Sequence, residues 1–284
     1  MTADAASVQL VAAYQELMAT LRGRTAGIVS AAWSGLGSWD RPDVARFVDT
    51  VQPVVAAGQQ YAATVADSYI AAAGTQATGT AVAPVGLDPA AYTGGQVRGG
   101  VTAAEEFARP FHDYWTALSD GKSWDDAQMA GVRRASTLAD TDVALAGRGA
   151  ARDAMLAHSP RVVGYRRVMT GVKTCIFCAV ASTRKYNIED LMPIHVHCDC
   201  EVSPIWGRKD PGKVINDKLL ADIQTGTSRS DYWKQHGFVD TNGNFVDKDG
   251  NHIAPDDAVK IAEHGELGPV LVDPHHHFAG PDAL

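Results

Sequence analysis

Cysteine is absent from the first 174 residues of this chain and again after residue 200. All four thiols fall in one stretch, Cys175-Ile-Phe-Cys178 followed by His195-Val-His197-Cys198-Asp-Cys200. That distribution excludes a disulfide framework laid along the fold. It leaves one sulfur-rich site, whose chemistry is metal ligation, a redox pair or a nucleophile. Long apolar runs are lacking too: no segment of about twenty apolar residues occurs, so no membrane-spanning helix is expected. The N-terminus has no basic segment leading into an apolar one, so no secretory signal is expected. Maturation in a reducing cytosol is then the expectation, where clustered cysteines bind metal more often than they pair.

Catalytic signatures are lacking in the same way. A zinc deaminase needs His-x-Glu ahead of Pro-Cys-x2-Cys; here the cysteine pair comes first and His195-Val-His197 has no glutamate. No His-Glu-x-x-His helix and no Gly-x-Ser-x-Gly elbow occur, and His264-Gly-Glu-Leu has no second histidine at the required place. Cys178 with His195 or His197 can be drawn as a cysteine-protease pair, but four clustered thiols favour mutual ligation. No catalytic residue is therefore assigned. Asp240 to Asn251 has acids at intervals like a calcium loop, yet Phe245 and Asn251 stand where Gly and Glu are required, so turns are expected there. His275-His-His277 reads as an exposed tail segment.

Net charge is −8, so the average field of the protein does not draw it to nucleic acid. The charge is uneven, however. Between Ala154 and Ile188 there is no Asp or Glu, while Arg161, Arg166, Arg167, Lys173, Arg184 and Lys185 supply positive charge around the first cysteine pair. This island is either a solvated face or a contact surface for DNA or an acidic protein.

Helical spacing dominates the first half. Leu10, Tyr14, Leu17 and Leu21 repeat with helical period in an alanine-rich stretch, and Gly35 to Ser38 breaks it. Pro42 then stands near the start of a second periodic segment through Tyr69, which Pro53 is expected to kink. Gly74 to Gly100, with seven glycines, reads as an extended connector or mobile loop. Phe107, Phe111, Tyr114 and Leu118 mark a third helix, and Ser123 is the expected N-cap of a fourth.

Beyond Pro160 the pattern changes. Arg161 to Met169 alternates like a strand entering the cysteine region, and Cys200 to Trp206 like one leaving it. A short helix is expected over 214–223 and a hairpin over 238–251. The fold class is thus α+β: a mainly helical N-terminal half followed by a smaller mixed domain with a Cys/His cluster. Its expected parts are a helical region over 1–75, a Gly-rich connector over 76–100, a core with the cluster over 101–210, and an extension with hairpin and tail over 211–284.

Within the cluster, Cys-x2-Cys lets two sulfurs point into one tight turn. In an extended segment Cys198 and Cys200 face the same side, with His195 or His197 near them. Cys175, Cys178, His195, Cys198 and Cys200 are the candidate ligands of a structural zinc, with His197 as an alternative. Six candidates compete for four places, and the choice stays open.

A helical N-terminal region, a strand, Cys175-x2-Cys178 and His195-x2-Cys198-x-Cys200 together resemble the Mu F-like minor head proteins of tailed phages, above all those of actinobacterial phages. The family commonly has His-Pro-Asn-Cys-Arg-Cys where this chain has His195-Val-His-Cys-Asp-Cys200. Glu263-His-Gly-Glu-Leu-Gly-Pro-Val270 resembles a recurring C-terminal element of the same branch. The resemblance covers roughly residues 100 to 275. It implies a minor capsid protein of head morphogenesis, acting in the virion at the portal or inner shell with portal, scaffold or major capsid protein, and in DNA packaging or delivery. The same gene slot is often called a capsid maturation protease, which is the alternative. A zinc-containing DNA-binding module is a second.

Overall fold

The computed structural model describes residues 5–168, 185–190, 200–210, 251–252, 260–264 and 268–272. Four long helices come first: α1 (Ala5–Ser34), α2 (Arg41–Thr78), α3 (Ala103–Ser119) and α4 (Trp124–Ala157). Five strands follow: β1 (Val162–Val168), β2 (Lys185–Tyr186), β3 (Glu201–Trp206), β4 (Lys260–His264) and β5 (Gly268–Val272). The architecture is α+β, as the sequence predicts. The expected helix over 214–223 lies outside the described residues, as does the expected hairpin over 238–251 except for its last residue, Asn251. The chain divides into two compact units, Glu16–Ala71 with Ala83–Ala154, and Met1–Gln15 with Ala72–Val82 and Met155–Leu284.

In the helical unit, α1 buries Met18, Arg22, Thr25, Val29 and Trp33, a stripe at helical spacing. Leu17, expected on the buried face, is exposed. The stripe admits Arg22 because its guanidinium meets Asp140 of α4 in a bidentate pair, Nε to Oδ1 at 3.1 Å and Nη2 to Oδ2 at 2.6 Å. Trp33 is the centre of an aromatic core, 5.5 Å from Phe47, 4.7 Å from Phe111 and 6.3 Å from Tyr114. Edge-to-face and tilted ring pairs of this kind add to plain area burial. The Phe107, Phe111, Tyr114 stripe is buried as its spacing predicts, while Leu118 at its end is exposed.

Helix ends follow from side-chain chemistry. Thr102 and Glu105 form a reciprocal capping box at the start of α3. Ser123 Oγ accepts the Asp126 N–H at 3.1 Å, the predicted N-cap of α4. α2 continues through Pro53, which faces solvent. Between α1 and α2, Trp39 has φ of 52°, a left-handed conformation that costs a bulky residue energy. Asp43 over-determines that turn: one carboxylate oxygen accepts Ser38 N–H, Ser38 O–H and Trp39 N–H at 2.9, 3.0 and 2.8 Å. The Ser38 N–H bond, with the others, holds the Asp43 carboxyl below its usual range.

The Gly-rich segment has neither helix nor strand over 79–88. Its start continues α2 to Thr78, two short 3-10 helices, Pro89–Tyr92 and Gly94–Arg98, follow, and it is tied down rather than mobile. The Asp67 carboxylate accepts the N–H groups of Val85, Gly86 and Leu87 at 2.9, 2.8 and 3.2 Å. Tyr92 O–H donates to Asp153 at 2.8 Å, and Gln59 accepts the Gly94 N–H at 3.0 Å. Arg98 ends the tie inside the unit. Its Nε sits between Glu106 of α3 and Asp142 of α4, with Asp142 Oδ1 at 2.5 Å, and all three side chains are buried. Burial and the Asp153 bond raise the Tyr92 hydroxyl well above the usual tyrosine range.

In the second unit, β1 is the middle strand of an antiparallel sheet ordered β2-β1-β3. The register changes between Val162 and Gly164, a bulge that leaves Val163 exposed. Only glycine fits at 164, since a Cβ there would lie 2.7 Å from the Tyr186 carbonyl oxygen. Gln15 Nε2 donates to the Val168 carbonyl at 3.3 Å. β4 and β5 form a separate two-stranded antiparallel sheet, Lys260 opposite Val272 and His264 opposite Gly268. Among the described residues no helix is long and apolar enough to cross a membrane.

Candidate functional site

Alternation along β1 sends Tyr165 and Arg167 to one face of the sheet and Arg166 to the other. Tyr165 stands opposite Tyr186 of β2, and their rings stack at 5.2 Å. The Arg167 guanidinium lies over both rings, 5.9 Å from Tyr165 and 5.4 Å from Tyr186, and the residue is 1% exposed. Arg167 pairs in register with Val202, two residues from Cys200 along the same face. Its Nη1 donates to Cys200 Sγ at 3.4 Å, and Cys200 is 3% exposed. Burial pushes the Tyr165 hydroxyl up to about 12, with the nearby Arg167 charge opposing.

Cys200 is thus held at the entry to β3 with a cationic donor aimed at its sulfur. The other predicted ligands, Cys175, Cys178, His195 and Cys198, lie outside the described residues, as does His197. Among the described residues no group of three or more His, Cys, Asp or Glu side chains is placed to hold a metal ion.

The basic island divides. Arg161 is exposed, its guanidinium 5.1 Å above the Trp206 ring. Arg166 makes a bidentate pair with Asp210, Nε to Oδ1 at 2.5 Å and Nη2 to Oδ2 at 2.8 Å. Lys185 reaches the same carboxylate at 2.8 Å. Arg167 is inside the protein, which corrects its expected place on a contact surface: stacking on two tyrosines and the bond to Cys200 draw it inward. Lys173 and Arg184 lie outside the described residues.

Sequence reasoning missed Asp210, because the acid that meets Arg166 lies beyond the acid-free interval. It also missed the tyrosine pair. Tyr165 and Tyr186 carry a signal only once the register that sets them opposite is known.

Fold and site define an α+β protein with long helices and a small antiparallel sheet that seats a buried thiol beside a guanidinium. The model of the VG15 protein family matches residues 5–218, and the chain belongs to that phage-associated family. No curated protein and no solved structure matches the chain.

Proposed function

We propose that the protein is a minor capsid protein of phage head morphogenesis, assembled in the host cytoplasm and carried in the virion at the portal vertex or inner shell. Its partners are the portal, scaffold or major capsid protein, and its work includes DNA packaging or delivery. Membership of a phage-associated family over residues 5–218 carries the reading. The Cys175-x2-Cys178 and His195-x2-Cys198-x-Cys200 pattern narrows it to the Mu F-like kind.

A structural zinc held by four of Cys175, Cys178, His195, His197, Cys198 and Cys200 belongs to this reading. The buried Cys200 sulfur fits such a role, since a guanidinium N–H directed at it compensates the negative charge of a ligating thiolate. Bound zinc would brace the chain around it and would supply no reaction step. Metal analysis of the purified protein is expected to find zinc, and Cys175→Ser with Cys178→Ser is expected to lower the melting temperature. A metal-free protein whose double variant melts unchanged would overturn the zinc.

Mass analysis of particles tests the role itself. The expected result is this chain intact in mature heads, with the major capsid subunit untrimmed by it. A capsid subunit shortened on co-expression, and restored by a single substitution in this chain, would make it the capsid maturation protease instead. Salt-sensitive DNA binding lost in Arg161→Glu would favour the DNA-binding module.

A further inference from the structure

Two turns meet at one end of the helical unit, the turn joining α1 to α2 and the turn joining α3 to α4. The rings of Trp39 and Trp124 lie edge to face at 5.5 Å, and Trp115 Nε1 donates to the Trp39 carbonyl at 3.1 Å. Trp124 is 54% exposed and Leu118 is 38% exposed. Neither stands alone. Trp39 also packs on Tyr114 at 5.8 Å, and Tyr114 and Leu118 are one helical turn apart on α3. Leu118, Tyr114, Trp39 and Trp124 therefore mark an apolar strip that is open only at its two ends, Leu118 and Trp124, with Tyr114 and Trp39 buried between them. Scattered exposed apolar residues are ordinary, but a tryptophan left more than half open while its inner edge is seated on buried aromatic rings is the kind of side chain that anchors an interface.

The surroundings of the strip have a sign. Asp40, Asp120, Asp125 and Asp126 are exposed around it, against Arg41 and Lys122. The aromatic faces add to this, because their quadrupoles attract cations. An occupant must then bring apolar side chains for the strip and positive charge for its edge. An amphipathic helix with Lys or Arg beside its apolar stripe brings both.

We propose that this end of the helical unit docks a basic amphipathic helix of a partner protein, with Leu118 and Trp124 as its anchors. The test titrates the full chain with two synthetic peptides of about 18 residues, each with Leu at helical spacing and either Lys or Glu elsewhere. Tryptophan emission and calorimetry report binding. The Lys peptide is expected to bind one to one and to shift the emission to the blue, and the Glu peptide is expected not to bind. Trp124→Ala and Leu118→Ser are each expected to weaken the Lys peptide by about tenfold or more. Tyr61→Ser is expected to leave it unchanged, since Tyr61 is exposed and about 30 Å along α2 from the turn. Circular dichroism checks that the variants fold; both anchors are surface residues. No binding of the Lys peptide, equal binding of the two peptides, or full affinity in both anchor variants would overturn the proposal. So would a concentration-dependent dimer dissolved by Trp124→Ala, which would make a second copy the occupant.

Discussion

Gly131 and Trp33 share one space: a Cβ at position 131 would lie 2.7 Å from both Cε2 and Cη2 of the indole. Trp33 is fully buried and ringed by Phe47, Phe111 and Tyr114, so it has no route aside. α4 must therefore present a residue with no side chain where it crosses this ring.

Gly131→Ala is expected to destabilise the helical unit although alanine is the better helix former. Overpacking a full core costs about 1–3 kcal/mol, against roughly 1 kcal/mol gained in propensity. Gly23→Ala, at an α1 position with nothing within 4 Å of the added carbon, is expected to be neutral or stabilising. Urea unfolding of both variants separates the two effects.

Arg98→Met is expected to cost more than either glycine change. It removes a guanidinium shared by two buried carboxylates, a loss on the order of 3–5 kcal/mol. Adding Glu106→Gln and Asp142→Asn to it should recover part of that loss, because the buried negative charge goes too. A shift in urea midpoint for the single variant and a partial return for the triple one is the expected pattern.

Asp43 predicts an acid limb. Its folded carboxyl lies below the unfolded value near 3.8, so the folded state binds the proton less readily. The stability it contributes is present above that pH and lost as pH falls through the folded value. Asp43→Asn should already lack it at neutral pH and show a shallower decline below about pH 4 in thermal melts.

Tyr92 predicts the opposite limb. Its hydroxyl is raised above the ordinary tyrosine value of about 10, so its contribution is complete below pH 10 and lost as pH rises toward the folded value. Tyr92→Phe should cost about 1 kcal/mol at neutral pH, the typical worth of one hydrogen bond, and remove that alkaline decline. Melts from neutral to strongly alkaline pH, with tyrosinate absorbance alongside, would show it.

Where the determinants were local, the sequence was enough to read them. The period of Phe107, Phe111 and Tyr114, the Ser123 cap and the alternation of β1 each depend on residues within a few positions of one another. The α1 stripe was misread because its buried face includes Arg22 and Thr25. Hydropathy rejects an arginine that pairing with Asp140, 118 residues on, makes acceptable. The anchored connector escaped for the same reason: glycine content speaks of freedom, while Asp67, Gln59 and Asp142 supply the restraint from a distance. Of the predicted ligands only Cys200 lies among the described residues. The donor aimed at it could not be foreseen without knowing that β1 and β3 are neighbours.

Arg98 also sets an order of events during synthesis. Glu106 leaves the ribosome eight residues after it, but Asp142 follows only 44 residues later. The connector can acquire its full charge balance only when most of α4 has been made. A nascent chain paused before residue 142 would therefore keep this segment open to proteases, and α4 acts as its latch.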